Sequence, residues 1–174
     1  MKGDMCAMDE NTPVQQNTDP RQACLELMNK LLATLTVFER NVKILHWNYH
    51  DYDFFSIHKS LDDIHDTACE HIDTVAEEIR KGDFYPNAML NQCIENSSIE
   101  SISSSVLYDH AQTMSILLVN IDAIRNLADT LSTLADDNKF WTIQDMANDI
   151  LSGMNHHRYF VKNTTGLPVT PSND

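Results

Sequence analysis

Apolar residues recur along this chain at intervals of three and four, and the residues that make turns are rare between the recurring stretches. Leu25, Met28, Leu32, Leu35, Phe38, Val42 and Leu45 form one such stripe and predict a first helix over residues 21–49. The HDYDFF segment that follows reads as a short turn. A second stripe, Ile57, Leu61, Ile64, Ala68, Ile72, Val75 and Ile79, predicts a helix over residues 54–81, ended by Gly82 as a C-cap with Pro86 soon after. Residues 83–100 read as a linker with room for a short helix over 87–94. The serine-rich SSIESISSS leads into a third long helix, striped by Val106, Ala111, Met114, Leu117, Leu118, Ile121, Ile124, Leu127 and Leu131. DDNKF breaks it, and a fourth helix covers residues 142–163. No stretch carries a strand signal. The expectation is an all-α four-helix bundle whose long connection between helices two and three crosses the bundle rather than merely turning.

Composition agrees with long helices: 174 residues hold only 4 glycines and 5 prolines, and an apolar share of 42% is enough for one ordinary core. The polar segment 1–20, with Pro13 and Pro20, reads as a flexible arm, residues 21–163 as the bundle and residues 164–174 as a tail. A net charge of −14 makes cations more natural partners than nucleic acid. No run approaches the roughly 20 apolar residues of a membrane span, and MKGDMCAMDENTP lacks an apolar signal core, so a soluble, cytoplasmic protein is expected. Cys6, Cys24, Cys69 and Cys93 are scattered without a CxxC pair and read as free thiols used in packing.

The chemistry concentrates in His46, His58, Asp62, Asp73 and Glu77. His58 and Asp62 are four apart, as are Asp73 and Glu77, so each pair shares a helical face and its side chains approach one another. Eleven residues separate Asp62 from Asp73, and that is about 16 Å along a helix axis. Metal bonds to nitrogen and oxygen are only about 2.0–2.2 Å long, so one chain cannot wrap a single ion with both pairs. Either two half-furnished sites exist, or an antiparallel second copy completes each half, as a two-fold axis permits. A mixed imidazole and carboxylate set suits a transition metal such as iron better than calcium or magnesium, and it accepts zinc and manganese too.

These residues also carry a resemblance. The segment LHWNYHDYDFFSIHKSLDDIHDTACEHIDTVAEEI resembles the signature of the Dps proteins, mini-ferritins of the ferritin-like superfamily. That signature has His in an LHWN segment, then His after 12 positions, Asp after 4, Asp after 11 and Glu after 4, and His46, His58, Asp62, Asp73 and Glu77 match each position. The resemblance is strongest over residues 35–80; toward the C-terminus it rests on helix lengths and the aromatic ending HHRYFVKN. It implies a hollow shell of twelve subunits and a ferroxidase centre at each two-fold interface. His46, His58 and Asp62 would come from one chain, and Asp73 and Glu77 from the other. It further implies oxidation of Fe(II), with hydrogen peroxide preferred to oxygen, and storage of ferric mineral. Trp47 would intercept stray one-electron oxidants beside the centre; its plainer reading is a core or interface anchor.

Two alternatives stand beside that reading. A ferritin-like oxidase with a di-iron centre inside one bundle needs a Glu-x-x-His step on each of two helices. The chain offers Asp62 and His65 as a related step but no second one, since neither Asp109-His110 nor Asn155-His156-His157 has the spacing. A DNA-compacting scaffold needs a basic arm, but before Arg21 only Lys2 is basic, against Asp4, Asp9, Glu10 and Asp19. Direct DNA binding is therefore not expected. Iron entry through acidic three-fold pores would draw on Asp136, Asp137, Asp145 and Asp149. Asp136 and Asp137 are equally well explained as acidic residues at a helix N-terminus.

Overall fold

The computed structural model describes residues 19–165. Helix α1 (Pro20–Asn48) begins where Asp19 accepts a hydrogen bond from the Arg21 amide and proline occupies the first helical position, whose amide has no helical partner anyway. Helix α2 (Phe54–Lys81) packs back along α1, and the short α3 (Leu90–Asn96) rests on α1. Helix α4 (His110–Asp137) packs mainly on α5 (Trp141–Thr164), and α1 meets α4 to join the two hairpins. The four long helices of the predicted bundle are all present, and the described residues contain no strand, only a single bridge between Tyr49 and Tyr108. The predicted arm over 1–20 and tail over 164–174 fall almost wholly outside the described residues, as does Cys6.

The crossover follows α1 from one end to the other. The Asn87 amide donates to Asn29 Oδ1 at 2.8 Å, the Ser98 amide to Thr34 Oγ1 at 3.0 Å and the Ile102 amide to Asn41 Oδ1 at 3.0 Å. Asn48 Nδ2 then donates to the Ser104 carbonyl at 3.1 Å, and the Tyr108 amide to the Asn48 carbonyl at 3.0 Å. These rungs return the chain to the C-terminal end of α1, so α4 starts there and runs antiparallel to it. Asn41 is the central rung: its amide nitrogen lies 2.8 Å from the Glu100 carbonyl and 3.0 Å from Asn120 Oδ1 on α4. A buried amide with its partners supplied fixes one register, where an apolar residue would permit several.

Three details depart from the sequence expectation. Helix α4 begins at His110, because Asp109 and Gln112 form a capping box; Val106 and Ala111, placed on its apolar stripe, are exposed, and Leu118 and Leu127 are half-buried. Gly82 is indeed the C-cap of α2, yet its φ is −81°, and Asp83 takes the left-handed conformation at φ 65°. Asp136 and Asp137 form the last turn of α4, where the helix dipole disfavours them, so the N-terminal explanation for these two residues is overturned.

The interior is apolar. Phe38, Leu61, Leu117, Ile121 and Ile150 are fully buried at the centre of the bundle, and burial stabilises each by about 1.5–3 kcal/mol relative to exposure. The buried polar residues are few, with Asn41 paired to Asn120.

Candidate metal centre

His46 lies in the last turn of α1, and His58 and Asp62 lie one turn apart near the start of α2. The helical hairpin brings them together: their nitrogen and oxygen ligand atoms all lie within 4.8 Å of one another. The two imidazoles are stacked, with ring centroids 3.6 Å apart, and Phe54 stacks on the outer side of His58 at 4.9 Å. His46 Nδ1 is 3.1 Å from the His58 carbonyl, and His58 Nδ1 is 3.1 Å from the His46 carbonyl. A carbonyl oxygen only accepts, so each Nδ1 carries a proton, and the tautomer this selects keeps its lone pair on Nε2. Metal-binding histidines are oriented in this manner.

Electrostatics favour the ligating protonation states. Burial, and then the neighbouring His58, lowers the pKa of His46 and keeps it neutral near pH 7. Burial alone would raise the Asp62 carboxyl, but the Lys43 hydrogen bond and ammonium, with the imidazoles of His46 and His58 beside it, outweigh burial and hold the group below its usual range. Lys43 Nζ sits 3.2 Å from Asp62 Oδ1, and His46 Nδ1 shares the same oxygen at 3.2 Å. An ammonium therefore stands where a divalent cation would neutralise the carboxylate. Nothing in the spacing of the five predicted ligands pointed to Lys43.

Asp73 and Glu77 are not brought to this cluster. They are exposed further along α2, and neither side chain has a hydrogen-bond or ion-pair partner among the described residues. Trp47 is 59% exposed beside His46, so a role in its own chain's core is excluded and an interface or redox role remains. His65 does not join Asp62, as the DxxH spacing had suggested; it meets Glu39 and Cys69 one turn further on, and Cys69 is exposed rather than packed. Among the described residues, these two are the clusters of three or more ligating groups, and neither includes a residue of α4 or α5. Among the described residues, the interior of the bundle is lined mainly by apolar side chains.

Known proteins share the arrangement of helices and the sequence. Residues 25–167 match the ferritin-like domain family. A DNA protection during starvation protein of Listeria innocua is 30% identical over 114 residues, which are 66% of this chain and 67% of that protein. The chain belongs to the Dps family. A Dps protein of Brevibacillus brevis is 27% identical over 147 residues, covering 83% of this chain and 96% of the relative. Among solved structures, Dps from Staphylococcus aureus superposes with a TM-score of 0.80 at 21% identity, over 85% of this chain and 98% of that one. A Dps protein from Vibrio cholerae, described as a member of a broad superfamily of ferritin-like diiron-carboxylate proteins, superposes with a TM-score of 0.78 at 19% identity, over 91% and 98%. At these identities the structures establish the Dps fold alone. No helix among the described residues is long and apolar enough to cross a membrane.

Proposed function

We propose that this Dps-family chain oxidises Fe(II), preferentially with hydrogen peroxide, at centres shared between two copies, and stores the ferric product inside a hollow shell. The observation that carries the reading is the division of ligands along the hairpin: His46 of α1 meets His58 and Asp62 near the start of α2, and two unpartnered carboxylates, Asp73 and Glu77, lie about 16 Å further along α2. An antiparallel copy of α2 places the second pair of each chain opposite the first cluster of its partner.

The donor set fits iron as the substrate. Neutral imidazoles hold Fe(II) through Nε2, and carboxylates favour the harder Fe(III) product. Incoming iron takes the place of the Lys43 ammonium at Asp62. Two Fe(II) give up one electron each, hydrogen peroxide takes both with two protons, and two waters result. A two-electron step of this kind releases no hydroxyl radical, and exposed Trp47 beside His46 is placed to intercept a stray one-electron oxidant. Asp136 and Asp137, with Asp145 and Asp149 on α5, are exposed and supply negative charge for Fe(II) entry at three-fold pores of a dodecamer built from two-fold dimers. The setting is the cytoplasm. Direct DNA binding forms no part of the reading, because 26 acidic residues face 12 basic ones and the arm before Arg21 carries only Lys2.

The test is to load the purified protein with Fe(II) without oxygen, then add peroxide or air and follow ferric absorbance. Rapid oxidation by peroxide and slow oxidation in air are expected. A rate equal to that of a protein-free control in both cases overturns the proposal.

A further inference from the structure

One turn from the His46 cluster, α1 and α2 bring together a different set of donors. His65 Nε2 lies 3.0 Å from Glu39 Oε1 and 3.6 Å from Cys69 Sγ, and the ligand atoms of all three fall within 4.8 Å of one another. Glu39 and His65 are largely shielded, with side chains 17% and 18% exposed, and Cys69 opens the cluster to the surface. We propose that Glu39, His65 and Cys69 form a second cation site, separate from the iron centre, that takes a thiophilic divalent ion of the zinc class.

The geometry fits such an ion closely. In a tetrahedral site with bonds of about 2.3 Å to sulfur and about 2.05 Å to nitrogen, the two ligand atoms are about 3.6 Å apart. That is the separation of Cys69 Sγ from His65 Nε2. A nitrogen and an oxygen ligand are about 3.4 Å apart in the same site. The 3.0 Å between His65 Nε2 and Glu39 Oε1 therefore has to open by only a few tenths of an ångström. The remaining ring atom is already oriented: His65 Nδ1 is 3.1 Å from Asp66 Oδ1, the carboxylate–histidine–metal arrangement that fixes the ring and strengthens Nε2 as a donor. On binding, the Cys69 thiol passes its proton to solvent and becomes a thiolate, and Nε2 likewise holds no proton. Three protein ligands leave a fourth position for water. Sulfur separates this cluster from the first in kind, since His46, His58 and Asp62 offer only nitrogen and oxygen. Lys43, whose ammonium pairs with Asp62, lies between Glu39 and His46 along α1 and keeps the two sites distinct.

The proposal does not depend on iron oxidation or on shared centres, so its test reads a different signal. Full-length assembled protein, stripped of metal and with thiols reduced, is titrated with Co(II) without oxygen. The expected result is a thiolate-to-cobalt charge-transfer band that saturates at one ion per chain and is bleached by added Zn(II). Cys69→Ser abolishes the band, Glu39→Gln weakens cobalt binding by about tenfold or more, and His58→Ala leaves the band in place. No thiolate band in the parent protein, a band that survives Cys69→Ser, or one that Zn(II) does not bleach overturns the proposal.

Discussion

The rings of His46 and His58 are stacked 3.6 Å apart, and each Nδ1 reaches the other residue's main-chain carbonyl at 3.1 Å. Each histidine therefore positions its neighbour, and the pair behaves as one unit. His46→Ala and His58→Ala are each expected to slow Fe(II) oxidation by about 10–100-fold. The double variant falls little further, because the first loss already misplaces the second ring. Initial rates of ferric absorbance decide it; losses that multiply would show two independent ligands.

Sharing between chains has its own signature. A variant carrying Asp73→Ala with Glu77→Ala, and another carrying His46→Ala with His58→Ala, are each expected to retain only a few per cent of the parent rate. Refolded together in equal amounts they regain about a quarter of the parent rate, since half the dimers are mixed and each mixed dimer has one intact centre of two. Mixed samples no faster than either variant alone would place all ligands of a centre on one chain.

Lys43 competes with metal for Asp62 at 3.2 Å. Lys43→Gln removes that ammonium and is expected to tighten anaerobic Fe(II) binding by about three- to tenfold at pH 7. It also allows the Asp62 carboxyl to rise toward its ordinary range, so the gain shrinks as the solution is acidified. Calorimetric titration at neutral and acidic pH measures both effects, and unchanged affinity at pH 7 would remove Lys43 from the site.

Acid stability is set elsewhere, between α2 and α5. Burial, then His156 and His71, pushes His157 down to about 4 from an ordinary 6.5, and its Nε2 is 2.9 Å from Thr67 Oγ1. Burial also lowers His71. The unfolded chain takes up the His157 proton near pH 6.5 and the folded one only near 4. Stability is therefore complete above 6.5 and is lost as the pH falls from there to about 4. His157→Gln should flatten the decline in Tm across that interval, and an unchanged slope would assign the loss to other groups.

Lys139 follows α4 with φ 60°, a left-handed conformation that costs a residue with a Cβ roughly 1 kcal/mol. Lys139→Gly should raise stability by about 0.5–1 kcal/mol, read as a shift in the denaturation midpoint at constant m-value. A lower midpoint would show that the lysine side chain contributes more than the strain it imposes.

The helices were legible because their apolar stripes are long and regular: Ile57, Leu61, Ile64, Ala68, Val75 and Ile79 were all marked as core and all are buried. Helix ends were read less well. Asp109 rather than the serine run starts α4, and capping depends on a side chain three residues away rather than on periodicity. The His46, His58 and Asp62 cluster was legible through spacing and resemblance. Lys43 and Glu39 were not, because a charged residue on a helix ordinarily points to solvent and nothing local marks the exceptions. Asn41 carried a fainter signal, a polar residue between Phe38 and Val42 on the apolar face, but its partners lie about 60 and 79 positions away.

That distance gives the crossover an unusual protection. Two of its amides, Ser98 and Ile102, donate to Thr34 and Asn41, whose side chains are buried inside α1. Neither bond opens unless the segment detaches from the bundle, so in deuterated solvent these two protons exchange on the slow timescale of the helical core and not on that of a surface loop. A stretch of chain with no regular structure of its own thus shares the lifetime of the helix it follows.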